Sequence, residues 1–190
     1  MDAPALILAS ASPRRRDLLV RLGIEPKAIV PAEIDETPQK DELPRAYARR
    51  MAHEKACAVD ETGYVLAGDT VVAVGRRIMP KGEDEATARK CLTLLSGRRH
   101  RVLSAIALRA PDGTLRERLS ESVVRFKRLS TEEIEHYIAS GEWHGKAGGY
   151  AIQGLAESLI EWMQGSHSGV VGLPLYDTRI LLQSSGFRLG

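Results

Sequence analysis

The chain has 190 residues, about the length of one domain, with 27 Lys and Arg against 25 Asp and Glu and a formal net charge of +2. Hydrophobic residues make up 43% and charged residues 27%, which is typical of a globular protein and excludes wholesale disorder. The near-balance of charge excludes a protein that holds duplex nucleic acid by bulk electrostatics. We therefore expect one domain over residues 1–190 that binds any anion at a local site.

The cysteines and the apolar runs indicate in which cellular compartment the protein is expected. Cys57 and Cys91 are too few for a disulfide framework and lack the spacing of a zinc site, and both are expected to be small buried thiols. No apolar run approaches the roughly 18 residues of a membrane span. The run at 5–9 is too short for a signal peptide and follows no basic residue. We expect a cytoplasmic protein that does not interact with membranes.

Gly, Pro and polar turn residues divide the first half of the chain into alternating strands and helices. Ser12 suits a helix N-cap and Pro13 the first helical position, so a helix should follow the first apolar run directly. In chain order the pattern predicts a strand at 5–9, a helix from Pro13 to Leu22, a strand near 27–31, a helix at about 44–59, a strand from Tyr64 to Val74, its hairpin partner at 76–79, and a helix at about 83–95.

The second half is predicted to contain a β-hairpin and two further helices. Pro111-Asp112-Gly113 is a turn sequence, and Ser130 to Glu133 has the spacing of a capping box. In chain order the pattern predicts strands near 100–110 and 114–127, a helix from Ser130 to Ser140, a Gly-rich segment at 143–156, an extended segment at 158–163 and a last helix from Pro174. Helices and strands interleave throughout, which predicts an α/β or α+β fold with a mixed sheet.

Three consecutive arginines, Arg14 to Arg16, lie in the first turn of the first predicted helix. The helix dipole is positive there, so each exposed cation costs about 0.3–1 kcal/mol unless an anion binds. We interpret the loop from Ser10 to Arg14, including Ser12, as a candidate phosphate cradle. The alternative is three solvated arginines that cover apolar surface. Helical spacing prevents all three from facing one ligand, and we favour Arg14 alone.

Asp69 interrupts an otherwise apolar strand, in the sequence Val65-Leu66-Ala67-Gly68-Asp69-Thr70-Val71-Val72. A carboxylate in such a strand is costly unless it is paired or holds a metal. Gly68 beside it would let another group approach the backbone closely. The alternative is a strand that ends at Ala67, with Asp69 in a turn.

Lys55 lies on the apolar face of the second predicted helix, three residues after Ala52. A lysine that points inward implies an anionic partner, whereas a snorkelling lysine would reach the surface. Glu36 alone is typical of a solvated turn and Lys81 of a surface residue, while Gln153 lies in a Gly-rich segment and suits recognition of a polar ligand edge. Together these residues indicate a site for a polyanion and a hard divalent metal such as Mg²⁺.

Four segments along almost the whole chain share their order with the motifs of a known family. They are LASASPRR at 8–15, AGDT at 67–70, KAGGYAIQG at 146–154 and VVGLPL at 170–175. Together they resemble the Maf family of nucleoside triphosphate pyrophosphatases. The resemblance implies an ITPase-like α/β fold with two lobes around a central cleft, dependence on a divalent metal (Mg²⁺ or Mn²⁺) and a homodimer. It also implies hydrolysis between the α- and β-phosphates, which can remove non-standard nucleotides.

The resemblance carries over to individual positions. Asp69 matches the proton acceptor, the charged cleft residues match Glu36, Lys55 and Lys81, and the specificity positions match Arg14, Thr70 and Gln153. Those three resemble the branch that acts on dTTP and UTP, because the branch that acts on 7-methyl-GTP tends to have Trp, Gln and Glu there. One departure is Lys81-Gly82, where the family often has Lys-Pro.

The predicted mechanism is in-line attack of water on the α-phosphorus. Asp69 would either orient and deprotonate the water or share a metal ion with Glu36, and the two roles stay open. Among enzymes, the alternative is a pyrophosphatase that acts on 7-methyl-GTP or on a broad range of modified nucleotides. A second alternative is a non-catalytic nucleotide-binding regulator of cell division. Another is a nucleic-acid-binding module that uses Arg14–Arg16, against which the 5% aromatic content argues.

Overall fold

The computed structural model describes residues 5–189. Its strands are β1 (Leu6–Leu8), β2 (Ala28–Ile29), β3 (Tyr64–Val74), β4 (Arg77–Ile78), β5 (Arg99–Arg109), β6 (Leu115–Phe126) and β7 (Ile160–Gln164). Its α-helices are α1 (Pro13–Arg21), α2 (Pro44–Ala58), α3 (Glu85–Leu95), α4 (Thr131–Ser140), α5 (His167–Val171) and α6 (Leu175–Ser184), and a 3-10 helix covers Leu155–Leu159. Within these residues no helix is long and apolar enough to cross a membrane.

All of these strands form one sheet in the order β2-β1-β3-β5-β6-β7, with β4 paired to β3. Strand β1 runs parallel to β2 and β3, and the remaining pairs are antiparallel. The predicted α/β class with a mixed sheet is confirmed. The predicted turn at 111–113 also joins β5 to β6, with Gly113 at φ 84 and the Asp112 carboxylate accepting a hydrogen bond from the amide of Thr114.

Helices cover both faces of the sheet, and the alternation of side chains along β3 divides them between two layers. Val65, Ala67 and Val71 pack in one cluster with residues of α2, including Met51. Leu66 points to the opposite face, in a cluster with residues of α1 and α6. A third cluster joins α3 and α4 to β6. Because of this alternation, Asp69 faces the α2 layer, whereas Gly68 and Thr70 face the layer of α1.

The edge of β3 explains where a cleft can form. Strand β1 ends at Leu8, opposite Leu66, whereas β3 continues to Val74. Strand β4 pairs only with the last residues of β3, from Ala73. In the part of the chain that the structure describes, residues 67–71 therefore have no partner strand on this edge. Side chains from both faces of β3 can reach the same space here.

Several local predictions from the sequence are tested by the termini of the helices. Ser130 and Glu133 form the predicted capping box, and Gly141 ends α4 at φ 70. Ser12 occupies the N-cap position of α1, but its side chain makes no capping hydrogen bond.

The prediction of two buried thiols is wrong for Cys57, which is exposed because it lies on the outer face of α2, and is confirmed for Cys91.

Candidate functional site

A cavity of about 450 Å³ lies at the unpaired edge of β3. Seven parts of the chain line it: the loop from β1 into α1, the loop after β2, α2 at Lys55, the middle of β3, the segment after β4 at Lys81, the Gly-rich segment near Lys146 and Gln153, and the end of α5. Every residue that the sequence singled out for the site is found in its lining, namely Ser10, Ser12, Arg14, Glu36, Lys55, Asp69, Thr70, Lys81 and Gln153.

The first turn of α1 directs two arginines toward the cavity, whereas helical spacing had favoured Arg14 alone. Nε of Arg14 donates a hydrogen bond to the carbonyl of Val171 at 3.4 Å. Arg15 donates from Nε to the carbonyl of Gly172 at 2.9 Å and from Nη1 to Oγ of Ser10 at 2.8 Å. Arg16 points away and pairs with an exposed glutamate.

Arg15 is the residue that the sequence reasoning missed. It approaches β3 at Gly68, where a Cβ atom would lie 3.4 Å from Nε of Arg15. Gly68 was expected to admit a close neighbour, and this neighbour is the guanidinium. Burial lowers the pKa of Arg15, while Asp69 and Glu36 act to raise it. Gly68, on the face of β3 opposite α2, was thus the signal in the sequence that could have identified Arg15.

Asp69 lies at one end of an array of alternating charges. Nζ of Lys55 is 2.8 Å from Oδ1 of Asp69 and 2.9 Å from Oε1 of Glu36. Nζ of Lys81 is 2.9 Å from Oε2 of the same Glu36. Lys55 is only 7% exposed, so it points inward rather than snorkelling to the surface. Burial acts to raise the pKa of Glu36, but hydrogen bonds from Lys55 and Lys81 outweigh it and hold this pKa at about 2.

Thr70 connects Arg15 to the segment that contains α5. Nη2 of Arg15 lies 3.4 Å from Oγ1 of Thr70, which lies 3.1 Å from Oγ of Ser104. Ser104 donates its own hydroxyl hydrogen to the carbonyl of Gly169 at 2.5 Å. Thr70 must therefore be the donor to Ser104, and its lone pairs are left for Arg15 or a ligand.

Two buried or partly buried side chains hold the backbone around Gln153 by hydrogen bonds, although the side chain of Gln153 itself is exposed. The hydroxyl of Tyr137 accepts a hydrogen bond from the amide of Ala151 at 3.0 Å. Oε2 of Glu142 accepts one from the amide of Leu155 at 2.8 Å. An exposed amide on a fixed backbone can offer both a donor and an acceptor to a ligand.

The charges of the lining indicate the kind of ligand. Five cations face two carboxylates, which leaves an excess of three positive charges; the cations are Arg14, Arg15, Lys55, Lys81 and Lys146, and the carboxylates are Glu36 and Asp69. A concave site with such an excess attracts polyanions strongly. The arrangement fits a ligand that has several phosphate groups.

The donor set for a metal is small. Within residues 5–189 no group of three or more His, Cys, Asp and Glu side chains could hold a metal ion. Glu36 and Asp69 supply two carboxylates, both in contact with Lys55. One or two carboxylates are what Mg²⁺ uses when substrate phosphates and water complete its coordination. The two residues therefore fit a cation that arrives with a phosphate ligand.

Comparisons with known proteins indicate one family. Residues 5–185 match the family model described as Maf-like protein. A dTTP/UTP pyrophosphatase of Novosphingobium aromaticivorans is 65% identical over 186 residues, covering 96% of this chain and 92% of the relative. A dTTP/UTP pyrophosphatase of Rhodospirillum rubrum is 60% identical over 188 residues, covering 97% and 90%. The solved structure of a HAM1 protein from Coxiella burnetii matches with a TM-score of 0.51 at 16% identity, over 95% of this chain and 99% of that one, and shows a shared fold.

Proposed function

Because the chain belongs to the Maf family, we propose that it is a pyrophosphatase that hydrolyses dTTP and UTP to the nucleoside monophosphate and pyrophosphate. The observation that carries this proposal is the cavity in which arginines from α1 and the Asp69–Lys55–Glu36–Lys81 array meet at one edge of β3. The names of the relatives supply the substrates, and the excess of positive charge supports a triphosphate.

The cations neutralise the phosphate oxygens. Phosphoryl transfer depends mainly on positioning and on stabilisation of charge, so fixed cations contribute more than any single proton transfer. The backbone carbonyls at the end of α5 orient Arg14 and Arg15. Both guanidinium groups can then contact a phosphate without a large loss of side-chain entropy.

Asp69 is the proton acceptor in this proposal. Lys55 holds the Asp69 carboxylate in place by direct contact at 2.8 Å, and Asp69 can orient a water molecule in line with the α-phosphorus and accept its proton. A divalent cation held by Glu36 and Asp69 would neutralise charge on the phosphates. Thr70 and Gln153 lie at the cavity wall, where they would contact the base or neighbouring groups.

A substrate panel tests the proposal. dTTP, UTP, CTP, GTP and 7-methyl-GTP are each incubated with the protein and Mg²⁺ or Mn²⁺, and pyrophosphate and monophosphate are quantified. We expect equal amounts of both products, formed fastest from dTTP and UTP. A strong preference for a purine substrate would contradict the pyrimidine assignment.

The variant Asp69→Asn separates catalysis from binding. We expect it to keep its circular-dichroism spectrum and nucleotide affinity but to lose turnover by orders of magnitude. Near-wild-type turnover in the folded variant would remove Asp69 from the chemistry. Tight binding of dTTP without turnover in the wild-type protein would instead support the nucleotide-binding regulator.

A further inference from the structure

Lys146 belongs to the KAGGYAIQG segment and is one of the five cavity cations, but the mechanism above gives it no individual role. Its backbone is tied to the segment that contains Lys81: the carbonyl of Lys146 accepts a hydrogen bond from the amide of Gly82 at 2.9 Å, and Lys81 forms a β-bridge with Ala147. Gly145 also donates to the carbonyl of Gly82 at 2.8 Å. These backbone hydrogen bonds therefore hold Lys146 and Lys81 next to each other on the same side of the cavity.

The ammonium group of Lys146 has an unusual environment. It lines the cavity, is partly buried, and donates a hydrogen bond to the carbonyl of His144 at 2.8 Å. Burial and then the charge of Arg14 lower its pKa, and Glu142 only partly offsets them. Within residues 5–189, Lys55 and Lys81 are in ion pairs, whereas Lys146 and the two cavity arginines, Arg14 and Arg15, are in none. Arg15 is held instead by its hydrogen bonds to Gly172 and Ser10.

Two neighbouring cations without a carboxylate partner repel each other, and an anion between them would reverse this cost. The charge of a nucleoside triphosphate is concentrated on its β- and γ-phosphates. The α-phosphorus must lie near Asp69 for the attacking water to be in reach. The unpaired cations are then available for the other end of the triphosphate.

We propose that Lys146 and Arg14 form the subsite that binds the β- and γ-phosphates and, after cleavage, the pyrophosphate product. This inference rests on the proposed function for its substrate, although anion binding at the subsite can be measured without turnover. Lys146 is then a substrate-binding residue that acts on the leaving group.

The test compares the wild-type protein with Lys146→Met, Lys146→Arg and the control Lys90→Met, whose lysine is exposed on α3 and does not line the cavity. Isothermal titration calorimetry with sodium pyrophosphate and Mg²⁺ gives the dissociation constant of the product. A parallel titration with dTMP probes the other half of the ligand. Thermal melting confirms that each variant is folded.

We expect Lys146→Met to weaken pyrophosphate binding by roughly ten- to a hundredfold, because a hydrogen bond between charged groups is lost. Its affinity for dTMP should stay within about twofold of the wild type, since only the other end of the ligand loses a contact. Lys146→Arg should retain most of the pyrophosphate affinity, and Lys90→Met should retain all of it. With dTTP, the variant Lys146→Met should show a raised KM and weaker inhibition by pyrophosphate.

The titrations with pyrophosphate and dTMP decide the question without any measurement of turnover. The subsite is refuted if Lys146→Met binds pyrophosphate as the wild type does, if it loses affinity for dTMP and pyrophosphate equally, or if the wild-type protein does not bind pyrophosphate. If the wild type binds pyrophosphate through Lys146 but hydrolyses no nucleoside triphosphate, the subsite stands and the proposed function fails.

Discussion

Nζ of Lys55 on α2 lies 2.8 Å from Oδ1 of Asp69 on β3, and both side chains are buried. Asp69 occupies the α2-facing register of β3 in an otherwise apolar layer, so an ion pair with the helix offsets the cost of its burial. A well-packed apolar pair could be as stable in this position. We therefore attribute the pair to the chemistry of the cavity rather than to the stability of the fold.

The two partners of this pair should differ in how strongly their loss destabilises the protein. Lys55→Met removes the cation that contacts both Asp69 and Glu36, so we expect the free energy of unfolding to fall by about 3–5 kcal/mol. Asp69→Asn should cost less, because Lys55 keeps its contact with Glu36 at 2.9 Å. Urea unfolding followed by circular dichroism measures both. Equal losses for the two variants would contradict the shared role of Lys55.

Arg15 should not tolerate replacement by lysine. Its guanidinium contacts the carbonyl of Gly172 and the side chains of Ser10 and Thr70 at once, and an ammonium group cannot reproduce this geometry. We expect Arg15→Lys to lower kcat/KM for dTTP by about ten- to a hundredfold, the effect of losing one or two charged hydrogen bonds. Arg16→Lys is the matched control, since Arg16 pairs outside the cavity with Glu25. Similar losses in both variants would refute a specific role for Arg15.

Gln153 should affect the choice of substrate without affecting stability. Its side chain is exposed at the cavity wall on a loop whose backbone is held by Tyr137 and Glu142. We expect Gln153→Ala to change the ratio of kcat/KM for UTP over GTP by about tenfold, while the melting temperature stays that of the wild type. Gln183→Ala, an exposed position on α6, is the control. An unchanged ratio would show that Gln153 does not contact the base.

His100 should make stability depend on pH. It is 2% exposed, its Nε2 shares a hydrogen bond with the hydroxyl of Tyr150 at 2.8 Å, and burial lowers its pKa from 6.5 to about 4. Because the unfolded chain takes up a proton at higher pH than the folded protein, this contribution to stability is complete above pH 6.5. It is lost as the pH falls from 6.5 toward 4.

The variant His100→Gln lacks this titration. Between pH 7.5 and pH 5 we expect the wild type to lose about 2 kcal/mol more of its unfolding free energy than the variant. Urea titrations of both proteins at the two pH values measure the difference, in which acidic groups common to both cancel. Parallel losses would mean that His100 titrates normally in the folded protein.

Local features of the fold could be predicted from the sequence because they depend on neighbouring residues. The capping box at Ser130 and the turn before Gly113 each need only a few consecutive residues. Helical period placed Lys55 on the apolar face of α2, although the sequence left open whether its ammonium group points inward or reaches the surface. The Maf resemblance and the residues around Asp69 were likewise readable from motifs, and the homodimer and the cytoplasmic location stay predictions.

The tertiary structure decided which of these residues act together. Arg15 contacts residues that are 55 and 157 positions away, and Lys146 lies beside Lys81 through a bridge between distant loops. Rules based on neighbouring residues cannot predict contacts between residues so far apart in the sequence. These contacts exist because β1 ends opposite Leu66 and leaves the next part of the β3 edge unpaired. The net charge of +2 is nearly neutral for the whole chain, yet five cations face two carboxylates in one cavity. Composition determines the sum of the charges, whereas the fold determines their separation, and electrostatic energy depends on separation.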